Sequence, residues 1–184
     1  MIDTEQKVVI GVGIDRVWDY VKDMERWANL MPGMREFTVV DDDDSRWVLK
    51  VGVGGLVRTV TVDVHVDRWA GPEHVTFSYK LEGDPVLGGG TYDAVPLGAN
   101  QTEVILNVRV EGSGPMAPMW EAMGRPLLPQ LASGFAGQLK GAIEQEAGVV
   151  PAEAAQAADR PSLFAAIGAW LRRLWLAIFG RRAG

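Results

Sequence analysis

Between Pro115 and Glu146 the large apolar residues recur every three or four positions. Met116, Met119, Trp120, Met123, Leu127, Leu131, Phe135, Leu139 and Ile143 fall on one face of a helix. Glu121, Arg125, Gln130, Lys140 and Glu144 fall on the other, where they can stay in water. The pattern predicts a long amphipathic helix, and Pro126 and Pro129, which lack a backbone donor, predict that it is kinked or divided. Earlier in the chain the period is different. Lys7 to Val12 alternates as a first strand. Ile14, Val17, Trp18 and Val21, then Met24, Trp27, Leu30 and Met31, take helical spacing and predict two short helices, broken near Asp23 and stopped by Pro32-Gly33. From Met34 the period is two. Apolar residues alternate with polar ones through Phe37 and Val39, through Trp47 to Val53, through Val60 to Val66 and through Val75 to Leu81. The alternation resumes near Tyr92 and again from Thr102 to Val110.

Strands in hairpin succession with one apolar face need a cover, and the long helix is the only predicted element large enough. The fold class is therefore α+β: a curved antiparallel sheet of about seven strands around a long C-terminal helix, with two short helices after the first strand. Gly88-Gly89-Gly90 lies inside a strand pattern, where glycines permit a bulge or a tight coil. Many inward positions are valine, too small to fill the space under a helix, so a sizeable apolar pocket is expected. Its lining is expected from Leu49, Val51, Val60, Val62, Val64, Phe77, Tyr79, Tyr92 and Leu106 on the strands. The helix is expected to add Met116, Met119, Trp120, Met123, Leu127 and Leu131. Arg58 is in phase with the valines, either as a strand end near solvent or as a charge at the pocket mouth.

Candidate chemistry is sparse. The run Asp41 to Asp44 lacks the spacing that wraps calcium and reads as a solvated turn. Asp63, His65 and Asp67 project from one face of a strand, but that face is the outward one and their side chains splay, so no metal site is expected. Gly88-Gly89-Gly90 lacks the lysine and following helix of a phosphate-binding loop. The chain has no cysteine, which excludes disulfides, thiolate metal sites and a cysteine nucleophile. General acid–base work needs titratable groups inside the pocket, and the inward positions offer only Tyr79, Tyr92, Thr102, Arg58 and Ser133, with both histidines outside. A carrier rather than an enzyme is expected, with a cyclase-type activity as the alternative.

Charge divides the chain unevenly. Met1 to Ala158 hold 13 basic and 23 acidic residues, a net of −10, whereas Asp159 to Gly184 are net +4. An acidic body argues against nucleic acid as a partner. The first residues lack a basic start and an unbroken apolar run, so a cytoplasmic protein is expected. Residues 1–146 form the expected domain, 147–161 an Ala/Pro linker, and 162–184 an amphipathic helix capped by Ser162. Leu163, Phe164, Ile167, Trp170, Leu171, Leu174, Trp175 and Ile178 fall in one sector of that helix. Arg172 and Arg173 lie opposite, Phe179 lies at the border, and Arg181 and Arg182 follow. Leu163 to Gly180 would span only about 27 Å. Two arginines at its middle cost about 2.5–3.5 kcal/mol each to insert. The segment therefore reads as lying on an anionic membrane surface, peripheral on the inner face of the cell membrane.

Three stretches, VWDYVKDMERWANLMPGM (Val17 to Met34), VVDDDDSRWVLKVGVGGL (Val39 to Leu56) and SGFAGQLKGAIEQE (Ser133 to Glu146), resemble the START-like superfamily of helix-grip proteins. They are most similar to its carbon monoxide dehydrogenase accessory-protein family. The resemblance implies a lipophilic-ligand pocket without a fixed catalytic motif and no covalently bound cofactor. It also implies a non-covalent quinone or isoprenoid ligand, and service to a molybdenum-hydroxylase-type oxidoreductase at the membrane. Recruitment of that oxidoreductase without ligand transfer is a further alternative.

Overall fold

The structure, a computed structural model, describes residues 1–53 and 55–149. Strand β1 (Ile2–Ile10) is followed by helices α1 (Ile14–Val21) and α2 (Met24–Ala28). Strands β2 (Met34–Val39), β3 (Asp44–Val53), β4 (Leu56–Ala70), β5 (His74–Leu81), β6 (Val86–Gly98) and β7 (Gln101–Gly112) come next, then helix α3 (Ala117–Glu146). All seven strands join one antiparallel sheet in the order β1-β7-β6-β5-β4-β3-β2. This is the α+β helix-grip arrangement that the two hydrophobic periods imply. From β2 to β7 each strand pairs with its successor, while β1 returns to the far edge and pairs with β7 from Ile2↔Val110 to Ile10↔Thr102. β1 begins earlier than the sequence suggests because Thr4 and Gln6 occupy its half-buried phase and mask the apolar alternation.

The chain leaves β1 into α1 and then α2, where the Asp23 side chain accepts a hydrogen bond from Arg26 N–H at 3.2 Å and caps the second helix. The run of aspartates makes the β2–β3 turn. Asp41 Oδ1 accepts from the backbone N–H groups of Asp43 and Asp44, and those bonds hold its carboxyl below the usual carboxylate range.

Helix α3 is continuous through Pro126 and Pro129, against the expectation of a divided helix. Each proline frees one carbonyl, of Ala122 and of Arg125 respectively, and both residues are exposed, so water can take the lost bonds. The buried face of α3 (Trp120, Leu128, Phe135, Leu139 and Ile143) then holds the helix on the sheet.

A second correction concerns Glu144, placed by its spacing on the wet face. It is 6% exposed. Its Oε1 accepts from Gly11 N–H at 2.8 Å and from Lys140 Nζ at 2.6 Å, while Lys140 also donates to Val9 O at 2.7 Å. The last turns of α3 are thereby fixed to the end of β1. Replacing Glu144 with Ala strands a backbone donor and an ammonium, so Glu144→Ala is expected to lower unfolding free energy by about 3 kcal/mol. Urea denaturation measures this, with the exposed Glu121→Ala as control. A loss under 1 kcal/mol would show the network to be incidental.

Candidate ligand cavity

Buried apolar residues separate into two clusters rather than one core. One gathers Ile10, Val17, Val21, Val75, Tyr92, Leu106, Phe135 and Leu139 around α1, α3 and the β1–β7 side of the sheet. The other gathers Ala28, Trp47, Leu49, Val60, Val62 and Val64 on β3 and β4. A domain of this size ordinarily has one contiguous core. Here members of both clusters line a cavity of about 220 Å³ between the inner face of the sheet and α3.

The structure brings Leu49, Val51, Val60, Val62, Val64, Phe77, Tyr79, Tyr92, Leu106, Trp120, Met123, Leu127 and Leu131 onto its wall. Met116 and Met119, expected beside them, are not there. Met116 is the N-cap of α3 and Met119 lies in its first turn, and they are 48% and 41% exposed. The helical phase is right for both, but the wall begins only at Trp120.

The sequence reading missed three tryptophans and a methionine on the wall: Trp27, Met31, Trp47 and Trp69. Trp47 shared the alternation of Leu49. Trp69 has a structural reason for escaping notice. Strict alternation along β4 sends odd positions outward, but the β4–β5 register shifts between Val66 and Arg68. The irregularity reverses the phase, so Trp69 pairs with Val75 and turns inward.

The glycines of β6 work by close approach, not by a bulge: the register with β5 runs unbroken from His74↔Asp93 to Lys80↔Leu87. A Cβ on Gly88 would sit 2.1 Å from the ring of Tyr79, and one on Gly90 would sit 2.8 Å from that of Phe77. Each aromatic lies over the glycine paired with it across the strands.

The wall is almost wholly apolar. Arg58 is its one charged lining residue among those described; it is half-exposed, pairs with Asp84 at 2.6 Å, and lies 5.2 Å from the ring centroid of Trp120. That is a charge at the rim, held by a partner and by a cation–π contact. Tyr79 donates from Oη to Arg109 O at 2.8 Å. Burial pushes the hydroxyls of Tyr79 and Tyr92 well above the usual phenol range, opposed by Arg109 at the first and reinforced by Asp93 at the second. Both are neutral at physiological pH.

Asp63, His65 and Asp67 engage separate partners on the outer face. Asp63 pairs with Arg46, His65 with Asp44, and Asp67 accepts from Ser78 Oγ. The hydrogen bond to Asp44 raises the His65 pKa above its ordinary value. Among the described residues no set of three histidine or carboxylate side chains gathers as metal ligands, and no helix is long and apolar enough to cross a membrane. The positions expected to bind a membrane, Leu163, Phe164, Ile167, Trp170, Leu171, Arg172, Arg173, Leu174, Trp175, Ile178, Phe179, Arg181 and Arg182, lie outside the described residues.

A sheet gripping a helix over an apolar hollow defines a START-like ligand-binding fold. The chain belongs to the family described as polyketide cyclase / dehydrase and lipid transport, whose sequence profile matches residues 1–144. Solved structures share the fold at low identity. A conserved protein from Geobacillus kaustophilus aligns with a TM-score of 0.68 at 18% identity, covering 78% of this chain and 96% of that one. A START superfamily protein from Mycobacterium smegmatis aligns at 0.62 and 16% identity, covering 78% and 97%. The ZhuI aromatase/cyclase from Streptomyces sp. R1128 aligns at 0.58 and 18% identity, covering 79% and 95%. No curated protein matches the sequence.

Proposed function

We propose that this protein binds and carries a lipophilic small molecule in the cavity under α3, and that its C-terminal segment holds it at a membrane surface. The observation that carries the reading is the wall itself: about 220 Å³ lined by valines, leucines and aromatics, with its one charge paired at the rim. The volume lies just below the about 300 Å³ at which pockets for drug-sized ligands begin. It suits a compact ring system or one segment of a longer chain. Family membership supports the same reading, since lipid transport is one of the family's described activities.

Catalysis of the cyclase kind would draw on groups able to exchange a proton. The wall offers Tyr79 and Tyr92, both held neutral by burial, and the guanidinium of Arg58. Binding without turnover therefore fits the site better than acid–base chemistry. A ligand with a hydrocarbon body loses about 0.8 kcal/mol per methylene on entering water, so a carrier gains by staying beside the lipid that holds it. The arginine-rich amphipathic pattern of residues 162–184 supplies that attachment in this reading. The resemblance to the carbon monoxide dehydrogenase accessory-protein family extends it further. The ligand is then an isoprenoid or quinone-like molecule, and the partner a molybdenum-hydroxylase-type oxidoreductase on the cytoplasmic face.

The test is detergent-free purification of the full chain, followed by mass spectrometry of the organic extract and titration with an apolar fluorescent probe. Val62 is 6% exposed and lines the cavity, so Val62→Trp is expected to fill part of the hollow and weaken probe binding at least about tenfold. Protein that purifies empty and binds no apolar probe would overturn the reading. If Val62→Trp loses the probe yet the chain still recruits an oxidoreductase and supports its electron transfer, adaptor function replaces carriage.

A further inference from the structure

Among the described residues two buried side-chain polar atoms have no hydrogen-bond partner, Trp27 Nε1 and Tyr92 Oη. Both belong to residues on the cavity wall, and Tyr92 is only 5% exposed. Their neighbours show how unusual this is. Trp47 donates to Ser45 Oγ, Trp69 to Asp43 Oδ1, Tyr79 to Arg109 O and Thr91 to Asp93 Oδ2, each at 2.8 Å. The protein thus satisfies the other indoles and hydroxyls named here and leaves two donors facing the hollow. Buried polar groups are rarely left so, and an orphan is a position at which a ligand atom completes the bond.

From this, with the cavity reading above as its premise, we infer that the bound molecule is an apolar body carrying a neutral carbonyl-type oxygen, which accepts from Trp27 Nε1–H and Tyr92 O–H. An indole nitrogen only donates, so the group it meets must accept. A pure hydrocarbon would leave both donors unmade. A carboxylate or phosphate would bring a charge into a wall whose one cation is already paired with Asp84. A ketone or quinone carbonyl meets both demands.

The test compares two small probes of one skeleton, 2-methylnaphthalene and 2-methyl-1,4-naphthoquinone, on the full-length protein by tryptophan fluorescence quenching and calorimetry. The chain has no cysteine, so the quinone meets no thiol. Tyr92→Phe keeps the ring and removes the donor. It is expected to weaken the naphthoquinone about tenfold while leaving the hydrocarbon unchanged. The empty variant should melt higher than wild type, because an unmade buried hydroxyl has gone. Trp27→Phe should move the naphthoquinone the same way. Equal effects on both probes, or none on either, would overturn the inference while leaving the cavity reading intact, as would a wild type that takes the hydrocarbon but not the quinone. Failure of wild type to bind either probe would sink both.

Discussion

Removal of Arg160 to Gly184 is expected to abolish binding to anionic vesicles while the remaining chain keeps its fold. The deleted stretch carries five arginines, and each basic residue near an anionic leaflet contributes about 1 kcal/mol. Charge alone therefore accounts for a partition coefficient lowered by about a thousandfold, before Trp170, Trp175 and their apolar neighbours are counted. The described part, Met1–Val149, is a unit by itself, and its sheet, helices and Glu144 network all lie within it. Co-sedimentation with vesicles containing anionic lipid measures the loss, and circular dichroism checks the fold. Because the attraction is electrostatic, raising salt should weaken the full chain's binding before deletion does. Undiminished binding by the shortened protein would remove membrane attachment from the proposed function.

Gly90→Ala is expected to destabilise the domain by more than about 3 kcal/mol, beyond the usual range for overpacking. The new Cβ would stand 2.1 Å from Asn107 O as well as 2.8 Å from the Phe77 ring. The first contact is with backbone of the neighbouring strand β7, which cannot swing aside as a side chain would. Gly141→Ala is the internal control: exposed on α3 with nothing within 4 Å of its Cβ, it should stabilise by about 1 kcal/mol. Chemical denaturation of the two variants separates them. A Gly90→Ala protein as stable as wild type would mean that the sheet adjusts its coil freely and that the aromatic–glycine pairs do not shape the cavity wall.

The order of elements and the inward faces of most strands could be read from hydrophobic period alone, because one wet and one dry face impose alternation. The helix-grip fold follows from there being one long helix to cover that sheet. What escaped has definite causes. Trp69 was hidden by an irregular register that local pattern does not report. Glu144 was misplaced because a helical wheel gives direction but not what the neighbouring strand's end presents, here the N–H of Gly11. Met116 and Met119 kept the phase of the wall without reaching it, since periodicity does not say where a helix meets the sheet. Trp27 was read as ordinary core packing. Its unpaired indole shows only when every nearby acceptor has been assigned.

The pairing of the first strand with the last carries a consequence for how the chain acquires its shape during synthesis. Ile2 waits for Val110 and Ile10 for Thr102, so the sheet stays open at one side until some hundred further residues have emerged. At about 5–20 residues per second that interval lasts about 5–20 s. Loop closure over such a span makes this the slow step of assembly. A nascent chain halted before β7 would expose the alternating apolar edge of β1 to any other open strand, so truncated products of this protein should depend on chaperones far more than the finished one.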